Sequence, residues 1–272
     1  MGAGQRPRRA GFAAGWVLAF AGAAMAQAPE PPVLQWNAAA GATQRRLFEE
    51  SATGERLLAE RGVMGRVELG ASFAPANGPA FAAEAGWAAG RLDYDGQTQT
   101  GAPLQTASRH HDADLTLLWR PGPAGSWGEA WLLLQGARQH RDIESIGRVT
   151  GLVETSWLLM PGLRWRGPAE AARGWRLWPQ VEARVSAYHR LEVDFNGLFD
   201  DARLDGGRRW ALALGVDAQA PDAAWRLALR WTRARQVVSQ TRTLYRNGAP
   251  VGTVRQPRLG YDDLTLTLRR DF

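Results

Sequence analysis

The sequence predicts an all-β fold, a transmembrane antiparallel up-and-down β-barrel of about ten strands, on three observations. Apolar and polar side chains alternate with a period of two residues along most of the chain, which is typical of strands with two different faces. Compact turns rich in Pro, Gly and Ala alternate with longer polar connections, and large aromatic residues flank the compact turns. Barrels that cross a membrane combine short turns at one end with longer loops at the other.

The alternation divides the chain into ten strands, with eight or twelve as the alternatives that the boundaries leave open. The strands are expected at 33–47, 55–75, 80–94, 110–120, 127–141, 151–166, 175–195, 208–219, 224–240 and 254–272. The compact turns are expected at 76–79, 121–125, 167–170 and 220–222. The longer connections are expected at 95–109, 142–150, 196–207 and 241–253. Short and long connections therefore alternate, as in a transmembrane meander.

Large aromatic residues are predicted to form a girdle at the tight-turn end of the barrel. They are Phe73, Phe81, Trp119, Trp127, Trp165, Trp175, Trp225 and Phe272. Aromatic side chains are enriched at the interfaces of a bilayer, where Trp and Tyr bury an apolar ring while their polar group stays hydrated. The alternative, in which these rings belong to the core of a soluble β-sandwich, does not account for their repetition at every compact turn.

The polar faces of the strands carry both signs of charge. The acidic and basic residues on these faces are Glu68, Glu84, Asp112, Asp114, Glu154, Glu182, Asp217, Arg66, Arg164, Arg176, Arg184, Arg226 and Arg230. An arginine that faces lipid costs about 2–4 kcal/mol at the midplane of a membrane. We therefore expect these side chains to point inward, where they would form an ion-paired interior with little free bore.

The N-terminal segment predicts export. Three arginines precede a mostly apolar stretch at 11–23, and Ala24-Met25-Ala26 is a small-x-small cleavage site. We expect residues 1–26 to be a cleaved secretory signal peptide, 27–32 a short leader and 33–272 a single barrel. An uncleaved helical anchor is disfavoured, because the apolar stretch is shorter than the roughly 20 residues that span a bilayer.

The C-terminal strand alternates strictly and ends in an aromatic residue. Leu264, Leu266 and Leu268 share one face, and Phe272 is the last residue. This ending resembles the closing strand of bacterial outer-membrane β-barrels, although Arg270 stands where those barrels usually carry an aromatic or apolar residue. The resemblance implies a Gram-negative outer-membrane location and recognition of this strand by the barrel-assembly machinery.

The hairpin between the third and fourth strands contains Asp93-Tyr94-Asp95 and Ser108-Arg109-His110. It resembles the omptins, outer-membrane endoproteases with a ten-stranded barrel and an active groove at the extracellular rim. In that family an Asp pair and an Asp–His pair activate a water molecule. The family's later Asp-x-His motif is missing here, and His189 is the available substitute, although the alternation predicts that it faces outward unless a bulge re-aims it.

The resemblance implies which residues would act if the chain were an aspartyl/His-type endopeptidase. They are Asp93, Asp95, His110 and His189, with lipopolysaccharide as a possible requirement for activity. Because the set is incomplete, we expect a non-enzymatic binding or structural barrel, with the omptin-like endoprotease and a narrow channel as alternatives. The basic residues Arg190, Arg233 and Arg235 of the upper outer wall are candidates to bind lipopolysaccharide phosphates.

Composition excludes several other classes of function. The chain has no Cys and four His, which disfavours a Cys- or His-based metal site, and no cofactor is expected. All 33 basic residues are Arg, and they are spread over every strand instead of forming a stripe. This distribution argues against a nucleic-acid partner.

Overall fold

The computed structural model describes residues 33–75, 78–97 and 101–272, so the expected signal peptide, the leader and part of the first compact turn lie outside the described residues. The described residues form β-strands joined by turns. The strands are β1 (Val33–Glu50), β2 (Arg56–Ala74), β3 (Ala80–Gln97), β4 (Pro103–Arg120), β5 (Glu129–Ile143), β6 (Leu152–Arg166), β7 (Glu170–Ala172), β8 (Trp175–Val185), β9 (Tyr188–Asp194), β10 (Ala202–Asp205), β11 (Arg209–Gln219), β12 (Trp225–Gln236), β13 (Arg242–Arg246), β14 (Ala249–Val254) and β15 (Arg258–Asp271).

Antiparallel pairing between neighbours closes the sheet into a barrel. Strand β15 pairs with both β12 and β1, so that the last and first strands meet. Strands β8 and β9 both pair with β6 and together fill one position in the wall, while β10 and β11 fill the next. The barrel therefore has ten strand positions, and the predicted fold class is confirmed. In the described part of the chain, no helix is long and apolar enough to cross a membrane.

The strands extend further at the loop end than the sequence predicts. Strand β3 continues to Gln97 and β4 begins at Pro103, so most of the expected loop at 95–109 belongs to the two strands of a hairpin. The expected loop at 241–253 is largely the small β13–β14 sheet. The outward side chains of the β3–β4 extension are polar, and its inward positions include Gly96, Thr106 and Ser108, so the apolar alternation that marks a strand fades there.

A break at residues 186–187 reverses the direction of the side chains in the seventh barrel position. In β8 the even-numbered residues face the interior, and Glu182 lines the central cavity. In β9 the odd-numbered residues do so, because His189 lies directly opposite the cavity-lining Leu158 of β6. An irregularity of this kind re-aims the following side chains. His189 therefore faces the interior, because an irregularity re-aims it from the outward direction that the plain alternation predicts.

Elsewhere the outward and inward directions of the side chains agree with those that the sequence predicts. Seven of the eight predicted girdle residues have rings exposed on the outside, and the ring of Trp165 is half-buried there, with its indole N–H donating to the Trp127 carbonyl at 3.1 Å. Of the predicted inward charges, all but two line the central cavity. The two exceptions, Arg176 and Glu154, also contact charged or aromatic side chains. Arg176 stacks on Trp178, and Glu154 forms an ion pair with Arg141. The ion-paired interior is confirmed.

Candidate functional site

The lower cavity occupies the half of the barrel nearest the tight turns and has a volume of about 450 Å³. Its walls are held by ion pairs between strands. The two terminal nitrogens of Arg164 donate to the two oxygens of Glu84 at 2.8 and 2.9 Å, and its Nε donates to Glu182 at 2.8 Å. Two parallel hydrogen bonds of this kind fix the guanidinium plane as well as its position.

A second layer, the Arg45 layer, forms the upper end of the cavity. Arg45 donates to Asp112 at 2.6 Å and to Asp263 at 2.8 Å. The rings and guanidinium groups beside it are stacked, with Arg45 and Arg209 lying 5.2 and 5.0 Å from the ring centroid of Tyr261. Because Arg45 and Asp112 are buried, this layer narrows the interior at that end of the cavity.

The Arg141 cluster comes next toward the loop end. Arg141 donates to Glu49, Glu60 and Glu154, each at 2.8 Å, and so bridges three strands besides its own. The second carboxylate oxygen of Glu60 lies 2.7 Å from Nε2 of His110. The side chain of Glu60 is fully buried, which means that its charge depends entirely on these partners.

The Arg141 cluster has the residue types of a hydrolytic triad but not its geometry. The hydroxyl of Ser108 lies 3.1 Å from Nε2 of His110, which is the nitrogen that Glu60 also contacts. In a Ser-His-Asp triad the carboxylate holds Nδ1, which leaves Nε2 to accept the proton of the nucleophile. Ser108 and His110 are also 0% and 2% exposed, so a substrate has no access. We interpret the cluster as a structural element that helps to close the barrel interior.

An apolar cap fills the interior at the loop end. It consists of Leu47, Leu58, Tyr94, Ile143 and Leu259, with Leu104, Leu152 and Tyr261 packed against them. A second apolar group of β9 and β10 lies beside the cap and shares Leu152 with it. Together with the Arg45 layer and the Arg141 cluster, the cap separates the lower cavity from the loops.

The structure does not bring the four predicted catalytic residues into one groove. Asp93 and Asp95 are exposed on the outer face of β3, where they alternate with the buried, inward-facing Leu92 and Tyr94. His110 is buried on the inner face of β4. The wall of the barrel therefore stands between the aspartate pair and this histidine.

His189 faces the interior but is held by neutral partners. Its Nδ1 lies 3.0 Å from the Gly207 carbonyl, and its Nε2 lies 3.4 Å from the hydroxyl of Ser156. The ring also packs tightly, because a Cβ at Gly206 would lie 2.1 Å from its Nδ1. Within the described ranges no three His, Asp or Glu side chains are grouped to hold a metal ion.

Sequence reasoning missed Glu60 and Arg141, although a signal was available. Glu60 has the same even parity on β2 as Arg66 and Glu68, whose inward direction the alternation predicts correctly. Extending that parity to the end of the strand would have placed Glu60 inside. Nothing in the sequence would have paired it with Arg141, which is 81 residues away.

We expect the change Arg141→Met to lower the free energy of unfolding by about 3–5 kcal/mol, because it leaves three carboxylates buried without their shared partner. The measurement is urea unfolding of the barrel in phospholipid vesicles, followed by tryptophan fluorescence.

Arg91→Met is the matched control. Arg91 pairs with Glu144 at 2.8 Å on the outer face, where its side chain is 66% exposed, and its loss should leave the unfolding midpoint nearly unchanged. Equal midpoints for the two variants would contradict the role given to Arg141.

Comparison with known proteins shows a shared fold at low sequence identity. No model of a protein family matches the chain. No curated protein matches its sequence significantly. Among solved structures, the outer membrane protease OmpT from Escherichia coli aligns with 91% of this chain and 99% of its own, with a TM-score of 0.53 and 11% identity.

Other outer-membrane barrels align more loosely. The translocator domain of the autotransporter NalP from Neisseria meningitidis covers 87% of this chain and 88% of its own, at a TM-score of 0.48 and 10% identity. The toluene transporter TodX from Pseudomonas putida covers 90% of both chains, at a TM-score of 0.32 and 8% identity. The closed ten-stranded architecture and the alignment with OmpT agree, and the chain has the fold of the bacterial outer-membrane β-barrels.

Proposed function

We propose that this chain is an integral outer-membrane protein of a Gram-negative cell that works as a binding or structural barrel, not as a diffusion channel or an enzyme. The closure of the loop half of the interior carries the proposal. A solute that entered the lower cavity would meet the Arg45 layer, the Arg141 cluster and the apolar cap in succession. Binding of a partner would then fall to the surface and the loops.

Export and insertion are part of the same proposal. Residues 1–26 act as a cleaved signal peptide, and β15 with Phe272 is the segment that the barrel-assembly machinery reads. The structure supports the second step, because Leu264, Leu266 and Leu268 are exposed on the outer face of β15. The backbone N–H of Phe272 donates to the Trp36 carbonyl at 2.8 Å, which extends the seam with β1 to the end of the chain. The mass of the mature protein, which would begin at Gln27, tests the first step.

Lipopolysaccharide is the proposed lipid partner. It would bind to arginines on the outer wall that lie nearer the loop end than the exposed apolar side chains of the strands. Arg46 lies directly opposite Arg61, and Arg91 lies directly opposite Arg109. Like charges at directly opposed positions destabilise a sheet. Lipid phosphates, which accept bidentate hydrogen bonds from arginine, would relieve this repulsion.

Carboxylates satisfy some of the outer arginines. Glu144 accepts from Arg91 at 2.8 Å and from Arg109 at 3.2 Å, and the hydrogen bond from Arg91 lowers the pKa of Glu144, so that it stays charged. Of the arginines that the sequence singles out, Arg190 pairs with Glu192 at 2.8 Å. Arg233 and Arg235 share Asp262 at the longer distances of 3.7 and 3.8 Å. Asp262 lies directly opposite Arg46 and Asp93 directly opposite Arg61, but neither arginine forms an ion pair with a described residue. Arg46 and Arg61 are therefore the better candidates for a lipid phosphate.

We expect the double change Arg46→Gln/Arg61→Gln to reduce the lipopolysaccharide that co-purifies with the barrel, because it removes the directly opposed pair of charges. The lipid is measured as phosphate per protein after extraction. Arg148→Gln, an exposed arginine in the β5–β6 connection, is the control and should leave the ratio unchanged. An unchanged ratio in the double variant would remove these residues from the proposal.

We expect the purified barrel to give no steady conductance in a planar bilayer, because its interior is closed above the lower cavity. Arg184→Ala separates a real pore from leakage around the protein, since Arg184 lines that cavity. A steady conductance in the parent that changes in this variant would establish an ion path through the barrel, and the channel alternative would replace the proposal.

The enzymatic alternative is an omptin-like endoprotease. The observation that favours it is the fold that this chain shares with OmpT. We expect neither the parent nor Asp93→Ala/Asp95→Ala to cleave a mixed fluorogenic peptide library in the presence of lipopolysaccharide, because these carboxylates lie apart from the interior histidines. Cleavage by the parent that is lost in the double variant would show that the loop end rearranges into an active groove.

A further inference from the structure

The lower cavity opens at the tight-turn end of the barrel. Its lining includes Ala74, Arg166 and Asp271, which are the last residues of β2, β6 and β15. The cavity is therefore a cup, closed toward the loops and accessible from the side of the tight turns. In an outer-membrane barrel that side faces the periplasm.

The rim of the cup has more positive charge than the layer beneath it. The deeper layer has Arg66, Arg164, Arg184 and Arg230 against Glu68, Glu84, Asp114 and Glu182, so its charges balance. The inward arginines of the rim are Arg120, Arg166, Arg176, Arg226 and Arg269. The carboxylates at the same level are Glu129, Asp217 and Asp271. Arg269 of the rim also pairs with Glu68 of the deeper layer at 3.1 Å, so the two layers taken together have two more arginines than carboxylates.

Several rim arginines also have unused hydrogen-bond donors. The Nε atoms of Arg120, Arg166, Arg226 and Arg269 are buried and have no hydrogen-bond partner among the described residues. The pair between Arg166 and Asp217 is long, at 3.6 Å, whereas Arg120 pairs with Glu129 at 2.7 Å and Arg226 pairs closely with Asp271, so Arg166 is the least satisfied of these three rim arginines. A buried donor without a partner costs free energy, which a bound acceptor would recover.

Trp178 gathers three of these arginines in one place. The guanidinium carbons of Arg166, Arg176 and Arg226 lie 5.2, 5.8 and 5.8 Å from the centroid of its ring. The ring attracts each cation, but the three cations repel one another. An anion between them would remove that repulsion, and the low-dielectric walls of the cup would strengthen its attraction.

We propose that the rim of the cup binds a small anionic molecule that carries phosphate or carboxylate groups and enters from the tight-turn side. A carboxylate is planar and a phosphate is tetrahedral, but each presents two oxygens that can accept paired hydrogen bonds from a guanidinium group. The volume of about 450 Å³ lies in the range of small-molecule sites and limits the ligand to that size. This site is independent of the loops and of the outer arginines.

The test is calorimetric titration of the folded barrel in zwitterionic detergent at low salt. The probes are pyrophosphate for the phosphate source and citrate for the carboxylate source, with sucrose as an uncharged control. Saturable binding of at least one anion, weakened by added salt, is expected. The tighter of the two probes identifies the preferred group.

Variants locate the binding. Arg166→Gln/Arg226→Gln should weaken the tighter probe at least about tenfold, because it removes two charge-assisted donors. Arg176→Gln should weaken it as well, and since Arg176 is exposed this variant should fold even if the double variant does not. Arg148→Gln/Arg255→Gln, which changes two exposed arginines in loop-end connections, is the matched control and should bind as the parent does. Far-ultraviolet circular dichroism checks that each variant is folded.

Two results would overturn the proposal. One is the absence of saturable binding of both anions to the folded parent. The other is equal binding by the parent and Arg176→Gln, or by the parent and a folded Arg166→Gln/Arg226→Gln variant, which would place the bound anion elsewhere. Neither result depends on conductance, peptide cleavage or lipid content, so the failure of this inference is separable from the failure of the proposed function.

Discussion

Arg141 and the three carboxylates around it show the constraint on which this barrel depends. Charged side chains cannot face the lipid, so they point inward, and once inside they must find partners from other strands. Arg141 of β5 reaches Glu49 of β1, Glu60 of β2 and Glu154 of β6. The same rule governs the Arg45 layer and the pairs around Arg164 below it. Some of these contacts reinforce paired neighbours, whereas those of Arg141 with Glu49 and Glu60 join strands that share no backbone hydrogen bonds, and together they set the shape of the interior.

The distribution of these pairs divides the barrel into two functional halves. Toward the loops the polar layers are covered by the apolar cap, which leaves no space for a solute. Toward the tight turns the pairs line the walls and leave a cup whose rim is short of carboxylates. The outer face has its own pattern, with opposed arginines nearer the loop end than the exposed apolar side chains. In the function that we propose, a barrel of this design would meet the outside through its surface and the periplasmic side through its cup.

The fold is shared with OmpT, but a fold does not carry a function with it. The Asp-x-Asp motif in β3 illustrates the physical reason. Asp93 and Asp95 occupy the odd positions of a strand whose even positions face the interior, so the motif lies on the outer face. His110 occupies an inward position of β4 and pairs with Glu60. The aspartate pair and His110 resemble the omptin residues in type and spacing, but they lie on opposite sides of the barrel wall. In this arrangement they cannot act on one water molecule.

The sequence by itself determined the two-faced strands of a barrel with about ten strands, the alternation of turns and loops, the aromatic girdle and the inward direction of most charges. All of these follow from a period of two residues and from local turn chemistry. Only the tertiary structure decided the direction of His189, because two irregular residues at 186–187 shift the period, and it alone decided the closure of the loop end. Arg141 and Glu49 are 92 residues apart, and a local pattern holds no information about which distant charges will meet.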